Sequence, residues 1–414
     1  MPVRTAINMW PLFMGLLLIG LAVGVQGSLL GYRAELEGFP DSSIGLLMSC
    51  YFAGFLVGSI MAPGLIQRVG HIRIFAALSA VASVTILIHA LYVNPWSWAF
   101  MRLLTGFAFS CIYVVSESWL NQAASNETRG QILAIYMTIL MMGVFAGQFM
   151  LELADPAGFQ LFILISVMVS VAAVPILLTA MKTPPIEELQ RVSIAHIWRR
   201  APMGVMGIIL SQWCASVIFG MGAVYAAKLG MTVGEVARFM AAIMGGGMIF
   251  QWPLGKLSDM MDRRWVMGGA SIIAAIAAIA ASQELAASTE LYILAFIFGG
   301  FSLSIYPLVV ALTHDHLRPH EIVPASGTVI LIGGLTSVTG PLSVAFWLQY
   351  FGLQSFFLSL AGCLTLMAVI SIWRVLTVPA VPAEYKTEAT LQAATTPVGM
   401  VLHAEDEEEE IGDK

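Results

Sequence analysis

Twelve long apolar runs most constrain what this chain can fold into. Each has roughly 20 or more residues, enough to cross a hydrocarbon core about 30 Å thick as a helix. Backbone groups in lipid must bond within their own segment, and barrel strands would be about ten residues long with strict alternation. The runs therefore predict an all-α, polytopic membrane protein. The predicted spans are 9–32, 43–66, 72–93, 97–121, 130–153, 158–181, 203–228, 234–254, 265–283, 289–313, 322–349 and 353–376.

Composition agrees with this reading. The chain has 414 residues, of which 58% are hydrophobic and 11% charged, whereas a soluble domain is about 25% charged. No basic domain or basic helix suggests a nucleic-acid partner. The first run is too long for the apolar core of a signal peptide and lacks a small-residue cleavage site, so we expect it to be retained.

Lys and Arg are distributed unevenly among the predicted loops. Fifteen fall on the side that holds both termini, three (Arg33, Lys228 and Arg238) fall on the other side, and Arg102 lies within a span. Positive charge is retained on the cytoplasmic face. The bias predicts a multi-pass protein of a bacterial-type inner membrane with both termini cytoplasmic.

Weak internal similarity divides the chain into two halves. Gly38 and Gly230 precede the second span of each half at an offset of 192, and Gly106-Phe107 matches Gly300-Phe301 at an offset of 194. Such collinear matches are typical of two parallel six-helix repeats. The predicted organisation is an N-terminal half (1–181), a cytoplasmic linker with a short interfacial helix (182–202), a C-terminal half (203–376) and a disordered acidic tail (377–414).

The stretch 255–264, G-K-L-S-D-M-M-D-R-R, carries five charges between two apolar runs. Its order G-x-L-x-D-x-x-x-R-R resembles the loop motif that joins helices 2–3 and 8–9 in the major facilitator superfamily (MFS). A fainter copy at 63–73 keeps Arg68 and Gly70, but has Pro63 in place of the family's Gly and Gln67 in place of its Asp. Two copies at equivalent places identify the chain as similar to this family.

Further segments resemble a YcaD-like branch of bacterial MFS carriers. They are Val115-Ser-Glu-Ser-Trp119, Arg129-Gly130, Gly143-x-x-x-Gly147-Gln148 and the run from His314 to Glu321 that leads to Gly340-Pro341. The resemblance implies alternating access by rocking of the two halves around one central site. It also implies that Asp259 lies against the N-terminus of the fifth span near Gly130 and, with Arg68 and Arg263, holds the cytoplasmic side shut.

A polar stripe follows one face of the fourth span. Its members recur every three or four residues: Arg102, Gly106, Ser110, Tyr113, Glu117 and Asn121. Arg102 and Glu117 are fifteen residues apart, or about 22 Å along a helix, so they cannot pair with each other. Arg102-x-x-x-Gly106 resembles the family's helix-4 motif, in which the Arg faces the cavity and is tied to coupling. The alternative is an Arg paired with first-span carbonyls or with Gln26.

Glu117 has two interpretations. It forms a gate salt bridge with Arg68 or Arg129, or it is the group that takes up a proton. Position 148 is also open, since Gln148 stands where family antiporters have Pro and either faces substrate or bonds to the facing helix. The residues predicted to bind substrate are Gln26, Arg102, Tyr113, Gln148, Gln212, Trp213, Gln251 and Tyr306.

Other features have simpler interpretations. The glycines of the first span, at 20, 24, 27 and 31, form a face for helix packing. Trp10, Trp96 and Trp98 lie near span ends and are interpreted as membrane-interface anchors. The sequences at 245–247 with Pro253, and at Tyr306-Pro307, suggest kinks.

The cluster His314, Asp315, His316 and His320 has no rigid metal-ligand spacing, so we interpret it as a solvated loop. The sequence has no nucleophile elbow, P-loop or H-E-x-x-H motif, so we expect neither an enzyme nor a cofactor or metal. A secondary carrier for a small molecule, acting as a monomer in the bilayer, is the predicted function. The alternatives are a uniporter, or a receptor or scaffold with this fold that has lost transport.

Protons are the expected coupling ion. A sodium site needs several oxygen ligands around an unwound helix, and the sequence offers no such cluster. The positions that match Arg102 and Glu117 at the offset of 194 are Phe296 and Ala311. Because both are apolar, coupling must use the fourth span or its neighbours.

The predicted topology places Glu37 outside the cell and Gln190 inside. Single cysteines at these two positions, in a background without the native thiols, should react with impermeant maleimide from opposite sides of the membrane. Labelling of both from the same side would overturn the topology.

Overall fold

The computed structural model describes residues 9–123, 126–177 and 192–379, without the side chains of 121–129, 319–320 and 323. Within these ranges the chain folds into helices with no strand, and twelve helices are long and apolar enough to cross a membrane. The predicted all-α polytopic fold is confirmed, and span boundaries agree within a few residues. The first half of the linker and nearly all of the acidic tail lie outside the described residues.

The N-terminal helices follow the first six apolar runs. They are α1 (Trp10–Leu36), α2 (Asp41–Val69), α3 (His71–Leu91), α4 (Pro95–Ala123), α5 (Asn126–Phe149), continued by a 3-10 turn (Met150–Leu153), and α6 (Gln160–Leu177).

The remaining helices begin in the linker. They are α7 (Ile194–Arg200), α8 (Pro202–Lys228), α9 (Val233–Met260), α10 (Arg263–Ala281), α11 (Thr289–Leu303), α12 (Ile305–His314), α13 (Pro319–Phe351) and α14 (Ser355–Thr377).

Residue contacts group the chain into two compact units. The first unit comprises Met1–Glu188, Ser216–Ala241 and Ser337–Tyr350, and the second comprises Leu189–Ala215, Ala242–Thr336 and Phe351–Lys414. In the first unit α2 packs most extensively on α4, and α1 on α5; in the second, α10 packs on α14 and α11. Parts of α8, α9 and α13 thus belong to the first unit. The division at 181 and 203 stays a prediction.

Glycines bring α2 and α4 into backbone contact. A Cβ on Gly54 would overlap the carbonyl oxygen of Leu103, and a Cβ on Gly106 would overlap that of Tyr51. Lipid tails are as apolar as helix side chains, so close backbone approach is a main source of helix affinity in a bilayer. The α2–α4 contact therefore depends on these two glycines.

The second unit repeats this contact between α9 and α11. A Cβ on Gly246 would overlap the carbonyl of Phe296, and one on Gly299 would overlap that of Ile243. On α9, Gly246 and Ile243 lie 192 residues after their counterparts on α2, Gly54 and Tyr51. On α11, Phe296 and Gly299 lie 193 residues after their counterparts on α4, Leu103 and Gly106. The predicted offset of 194 for this span is thus wrong by one residue. Arg102 and Glu117 correspond to Ala295 and Val310, which are also apolar.

Two turns share one backbone design. Gly38 and Gly230 have φ of 69° and 79°, a conformation that favours glycine. The amides of Gly38 and Phe39 donate hydrogen bonds to the carbonyls of Glu35 and Ala34, and the turn at Gly230 has the equivalent pair of bonds. This helix-ending motif satisfies otherwise unpaired carbonyls.

The linker contains a short helix as predicted, α7, and it is fixed to the start of α13; its position at the membrane interface stays a prediction. His196 Nε2 lies 3.0 Å from Glu321 Oε1, and Thr328 Oγ1 donates to the carbonyl of Val192. The amide of Arg318, which donates to Glu321, and the neighbouring His196 hold the pKa of the Glu321 carboxyl below its ordinary value. The linker therefore ends on a hydrogen-bonded anchor of the second unit.

The expected interruption near Tyr306-Pro307 is confirmed. The tenth span is divided at Ser304 into α11 and α12. Pro307 has no amide to donate to the carbonyl four residues earlier, and Ser304 Oγ donates to the carbonyl of Gly300 at 2.6 Å. In contrast, α9 continues unbroken through 245–247 and Pro253.

Trp98 is not an interface anchor. Trp10 and Trp96 are exposed as predicted, but Trp98 is fully buried. Its indole N–H donates to the carbonyls of His89 and Tyr92, at 3.1 and 3.0 Å. A Trp near a span end faces lipid or protein depending on its helix face, and here the C-terminal turn of α3 covers it.

We predict that Gly54→Ala destabilises the protein by about 1–3 kcal/mol, because the added methyl forces α2 from α4. Gly269→Ala is the matched control, since a Cβ there meets nothing within 4 Å. It should be neutral or stabilising by up to about 1 kcal/mol. Thermal unfolding of both purified variants in detergent measures the difference, and equal melting temperatures would contradict the packing argument.

Candidate functional site

Arg102 lies on α4 about 10 Å from the helix start at Pro95 and is 4% exposed. Its guanidinium carbon stands 4.3 Å above the centre of the Tyr51 ring. One terminal nitrogen is 3.8 Å from the sulfur of Met48, and the Nε has no hydrogen-bond partner. The alternative pairing with Gln26 or with first-span carbonyls is wrong, because the partners come from α2.

A charge at bilayer depth is costly, by about 2.5–3.5 kcal/mol on insertion scales. The face of Tyr51 offsets part of that cost through a cation–π contact, whereas the thioether of Met48 is a weak acceptor. No carboxylate among the described residues lies within 4 Å of the guanidinium. Arg102 is thus a buried cation without an anion.

Glu117 is the opposite case, a buried carboxyl with no cation beside it among the described side chains. It is 1% exposed and accepts a hydrogen bond of 3.0 Å from the hydroxyl of Tyr136 on α5, while its Oε2 has no partner. The predicted salt bridge with Arg68 is wrong, since Arg68 lies exposed near the end of α2. The side chain of Arg129, the other predicted partner, lies outside the described residues.

The segment around Glu117 fixes this end of α4 to α3. Ser116 Oγ donates to the carbonyl of Ile112, and Ser118 Oγ lies 3.0 Å from Nε2 of His71. The ring of His71 stacks on Trp119, with centroids 5.8 Å apart. Ser116 and Ser118, which flank Glu117, are therefore used in local bonds, and neither of them neutralises it.

Gln148 joins α5 to α1. Its Oε1 accepts from Ser28 at 2.5 Å, and its Nε2 donates to the carbonyls of Gly24 and Val144 at 3.0 and 3.2 Å. Of the two alternatives for this residue, the bond to the facing helix is the one observed. Gly20 and Gly24 pack against Gly143 and Val144 of α5, so the predicted packing face of the first span is confirmed at these positions.

Other predicted substrate residues of the first unit are buried. Gln26 is 2% exposed and its amide nitrogen has no partner. Tyr113 is 2% exposed, with its ring 6.1 Å from that of Phe55. Both remain candidates for binding substrate.

Four candidates belong to the second unit, on α8, α9 and α12. Gln212, Gln251 and Tyr306 are buried and Trp213 is half-buried. Gln212 packs against the backbone of Gly333, where a Cβ would lie 3.1 Å from its Cγ. Whether these side chains face the candidates of the first unit stays a prediction.

The charged loop between α9 and α10 has Arg263 at its centre. This guanidinium is 1% exposed and bonds to Asp315 at 2.8 Å, to Asp259 at 2.9 Å and to Ser258 at 2.9 Å. Asp315 is 2% exposed, whereas Asp259 is 35% exposed. The predicted contact of Asp259 with the fifth span stays a prediction.

The interpretation of His314 and Asp315 as a solvated loop is therefore wrong. His314 is the last residue of α12 and is buried, and Asp315 ends that helix as the partner of Arg263. His316 is only half-buried and its Nδ1 lies 2.8 Å from the carbonyl of Leu312. The side chain of His320 lies outside the described residues.

Arg264 points away from Arg263 and binds the end of α14. Its Nη1 donates to the carbonyls of Arg374 and Val378 at 3.0 and 2.9 Å, and its Nε and Nη2 bind Asp262. A cation at a helix C-terminus meets unpaired carbonyls and the negative end of the dipole. The Arg pair therefore ties α10 to α9 and to the ends of α12 and α14.

Sequence reasoning missed the partners of the site residues. Met48 and Tyr51 are three residues apart on α2 and share a helix face, which was the only signal available for them. Tyr136 and Asp315 gave no local signal, because their partners are distant in sequence.

Comparison with known proteins gives the family. The Major Facilitator Superfamily model matches residues 12–259 and 204–404. The chain is similar to the MFS-type transporter YcaD of Escherichia fergusonii and that of Salmonella typhimurium. Each is 27% identical over 353 residues, which cover 85% of this chain and 91% of the relative.

Solved structures share the fold at low identity. A mutant of the nucleoside transporter NupG has a TM-score of 0.75 and 13% identity, covering 88% of this chain and 99% of the other. A bacterial homologue of the human lysosomal transporter Spinster reaches 0.74 and 14%, covering 94% and 99%. The fucose:proton symporter FucP of E. coli reaches 0.56 and 15%, covering 89% and 99%.

We predict that Asp315→Asn destabilises the protein far more than Asp259→Asn does. Removing one partner of a buried ion pair costs about 3–5 kcal/mol, whereas a partly exposed pair contributes about 1 kcal/mol or less. Thermal unfolding of the two variants, each with a one-charge change beside Arg263, measures the contrast. Equal losses would mean that the buried pair does not hold the loop.

Proposed function

The chain belongs to the major facilitator superfamily and is a membrane transporter, and we propose that it moves a small organic solute across the bacterial inner membrane by alternating access coupled to protons. In this proposal both termini are cytoplasmic and the transporter works as a monomer. The observation that carries the proton coupling is the environment of Glu117.

Glu117 has the surroundings of a proton carrier. A buried carboxylate without a cation is strongly disfavoured, so burial of this kind favours the protonated acid. Tyr136 donates to one oxygen at 3.0 Å, which leaves the other oxygen to hold the proton. The carboxyl can bind a proton in one conformation and release it in another that gives it water or a cation.

The fold accommodates such coupling, since one protein that shares it is a fucose:proton symporter. The corresponding position of the second repeat, Val310, is apolar. The proposal therefore assigns coupling to α4 of the N-terminal repeat alone, with Arg102 as its second charged member.

Packing at one end of the first unit supports alternating access. Lys228 Nζ, at the end of α8, lies 3.0 Å from Glu35 and 2.7 Å from Asp41. Nearby, a Cβ on Gly45 of α2 would lie 2.5 Å from the Cβ of Ala345 on α13. The proposed topology places this end outside, and in the proposal these contacts are the outer gate in its closed form.

The proposed inner gate uses the loop motifs. Asp259 and Arg263 lie at the α9–α10 loop and Arg68 at the α2–α3 loop. Family resemblance assigns such residues to closure of the cytoplasmic side, with Asp259 against the N-terminus of α5 near Gly130. Because Gln67 has no charge, this closure depends on Asp259 more than on the first loop.

The test is uptake into proteoliposomes with and without a pH gradient, using a solute first identified by ligand-induced thermal stabilisation. We expect a gradient to drive accumulation in the wild type, and Arg102→Ala to abolish it. Glu117→Gln should keep exchange but lose accumulation, because a neutral amide binds solute without carrying a proton. Glu290→Gln, which changes an exposed carboxyl at the start of α11, is the matched control.

Other outcomes separate the alternatives. Loss of both exchange and accumulation in Glu117→Gln would make Glu117 a structural or substrate-binding group. Wild-type flux that does not depend on the pH gradient would show that proton coupling is wrong and would favour a uniporter or coupling to another ion. Solute binding without any flux would support the receptor or scaffold.

A further inference from the structure

Arg102 has weak acceptors on every side that the structure describes. The ring of Tyr51 faces the guanidinium plane, the sulfur of Met48 stands 3.8 Å from one terminal nitrogen, and Nε is unpartnered. A guanidinium presents five N–H donors in a planar fork, which match the two oxygens of a carboxylate. In this conformation one arm of the guanidinium faces the thioether of Met48, a weak acceptor, in place of the oxygen anion that a guanidinium prefers.

Met48 is suited to give way. Methionine is unbranched, with three rotatable bonds, and adapts to changes in its surroundings. Its methyl group also lies 3.2 Å from the place a Cβ of Gly31 would take, and its Cβ lies 3.4 Å from that of Gly220. The side chain thus fills space between α1, α2 and α8 in the first unit, and an incoming anion can replace it at Arg102.

Other titratable groups near Arg102 do not supply the missing anion. Among the described residues the titratable groups near it are Tyr51 and Cys50 on α2 and His89 on α3. His89 is held through Nδ1, 2.7 Å from the carbonyl of Thr85. A tyrosine, a thiol and an imidazole are neutral or cationic in ordinary conditions, so none of these groups compensates Arg102, and its charge is available to an anionic ligand.

Glu117, towards the other end of the polar stripe, likewise has no counter-charge among the described side chains. Tyr136 on α5 is its hydrogen-bond donor, His71 on α3 is turned to Ser118 and Trp119, and Arg68 of α2 is exposed. None of them is a cation in contact with the carboxyl. As far as the described side chains go, the face of α4 therefore carries one unneutralised site for an anion and one for a proton.

We infer that Arg102 binds the carboxylate of an anionic solute and that Glu117 takes the proton that travels with it, so that one monoanion and one proton cross together without net charge. The inference rests on the proposed proton-coupled transport and specifies its substrate class. In the loaded form the anion neutralises Arg102 and the proton neutralises Glu117. In the empty form the guanidinium and the ionised carboxyl cancel, so both forms have equal net charge.

Binding is tested first, because it needs no transport. The probes are gluconate, glucuronate, lactate and pyruvate at millimolar concentration, each against its neutral amide, with thermal stabilisation of the purified protein as readout. We expect at least one carboxylate to stabilise the wild type and its amide not to do so. Arg102→Gln should lower the affinity for the carboxylate at least tenfold, and Arg102→Lys should lower it less. Arg238→Gln, which changes an exposed arginine, should leave the affinity unchanged.

The opposite results overturn the inference. They are stabilisation by no carboxylate, equal stabilisation by acid and amide, or an effect that survives Arg102→Gln. Size-exclusion profiles of the variants exclude misfolding, and Arg102→Lys provides a second test if Arg102→Gln is poorly folded.

Transport then tests electroneutrality. Proteoliposomes with a trapped pH dye receive the stabilising carboxylate, and potassium with valinomycin sets the membrane potential. We expect inward acid movement that follows the carboxylate and the pH gradient and changes less than twofold between potentials of opposite sign. A strong response to potential, or carboxylate flux without acid movement, would overturn the stoichiometry. Binding that fails while pH-driven uptake of another solute persists would overturn the substrate class and leave the proposed function intact.

Discussion

The close approach of backbones at glycine is the constraint on which the rest of this structure depends. A helix in lipid gains little from hiding apolar side chains, so its neighbours are held by contact at short range. Gly54 and Gly106 place α2 directly on α4, over the carbonyls of Leu103 and Tyr51. Arg102 directly precedes the first of these contacts along α4, and Tyr51 accepts the second. The position of Arg102 over the Tyr51 ring therefore follows from where the glycines stand.

Two buried arginines show how differently the same side chain is treated. Arg263 has two carboxylates and a hydroxyl within 3 Å, so its charge is compensated inside the chain and contributes to holding a loop. Arg102, two turns from the start of α4, has an aromatic face and a sulfur. A buried charge that is paired within the chain is typical of a structural role, whereas a buried charge without such a pair is typical of a ligand-binding role. The same contrast separates Asp315 from Glu117.

Much of the fold was predictable because it depends on local features of the sequence. Span lengths, the N-terminal glycine face and the break at Pro307 follow from hydropathy, periodicity and the missing proline amide. The partners of the site residues were not predictable, because a single sequence gives the face on which Arg102 or Glu117 lies but not the helix that covers that face. Tyr136 and Asp315 are such partners. The repeat offset was missed by one residue because adjacent glycines, Gly299 and Gly300, match Gly106 equally well in sequence, and only the backbone contact distinguishes them.

The break at Ser304 gives the second unit one mechanically soft joint. Both α10 and α14 are continuous rods, packed along their length and clamped at one end by Arg264. In the tenth span the ladder of backbone bonds is interrupted, so bending there disrupts fewer hydrogen bonds than bending elsewhere. The short segment beyond the joint carries Tyr306 near its start and ends next to Asp315, the partner of Arg263. Movement of the α9–α10 loop is therefore transmitted along the ten-residue helix α12 to Tyr306.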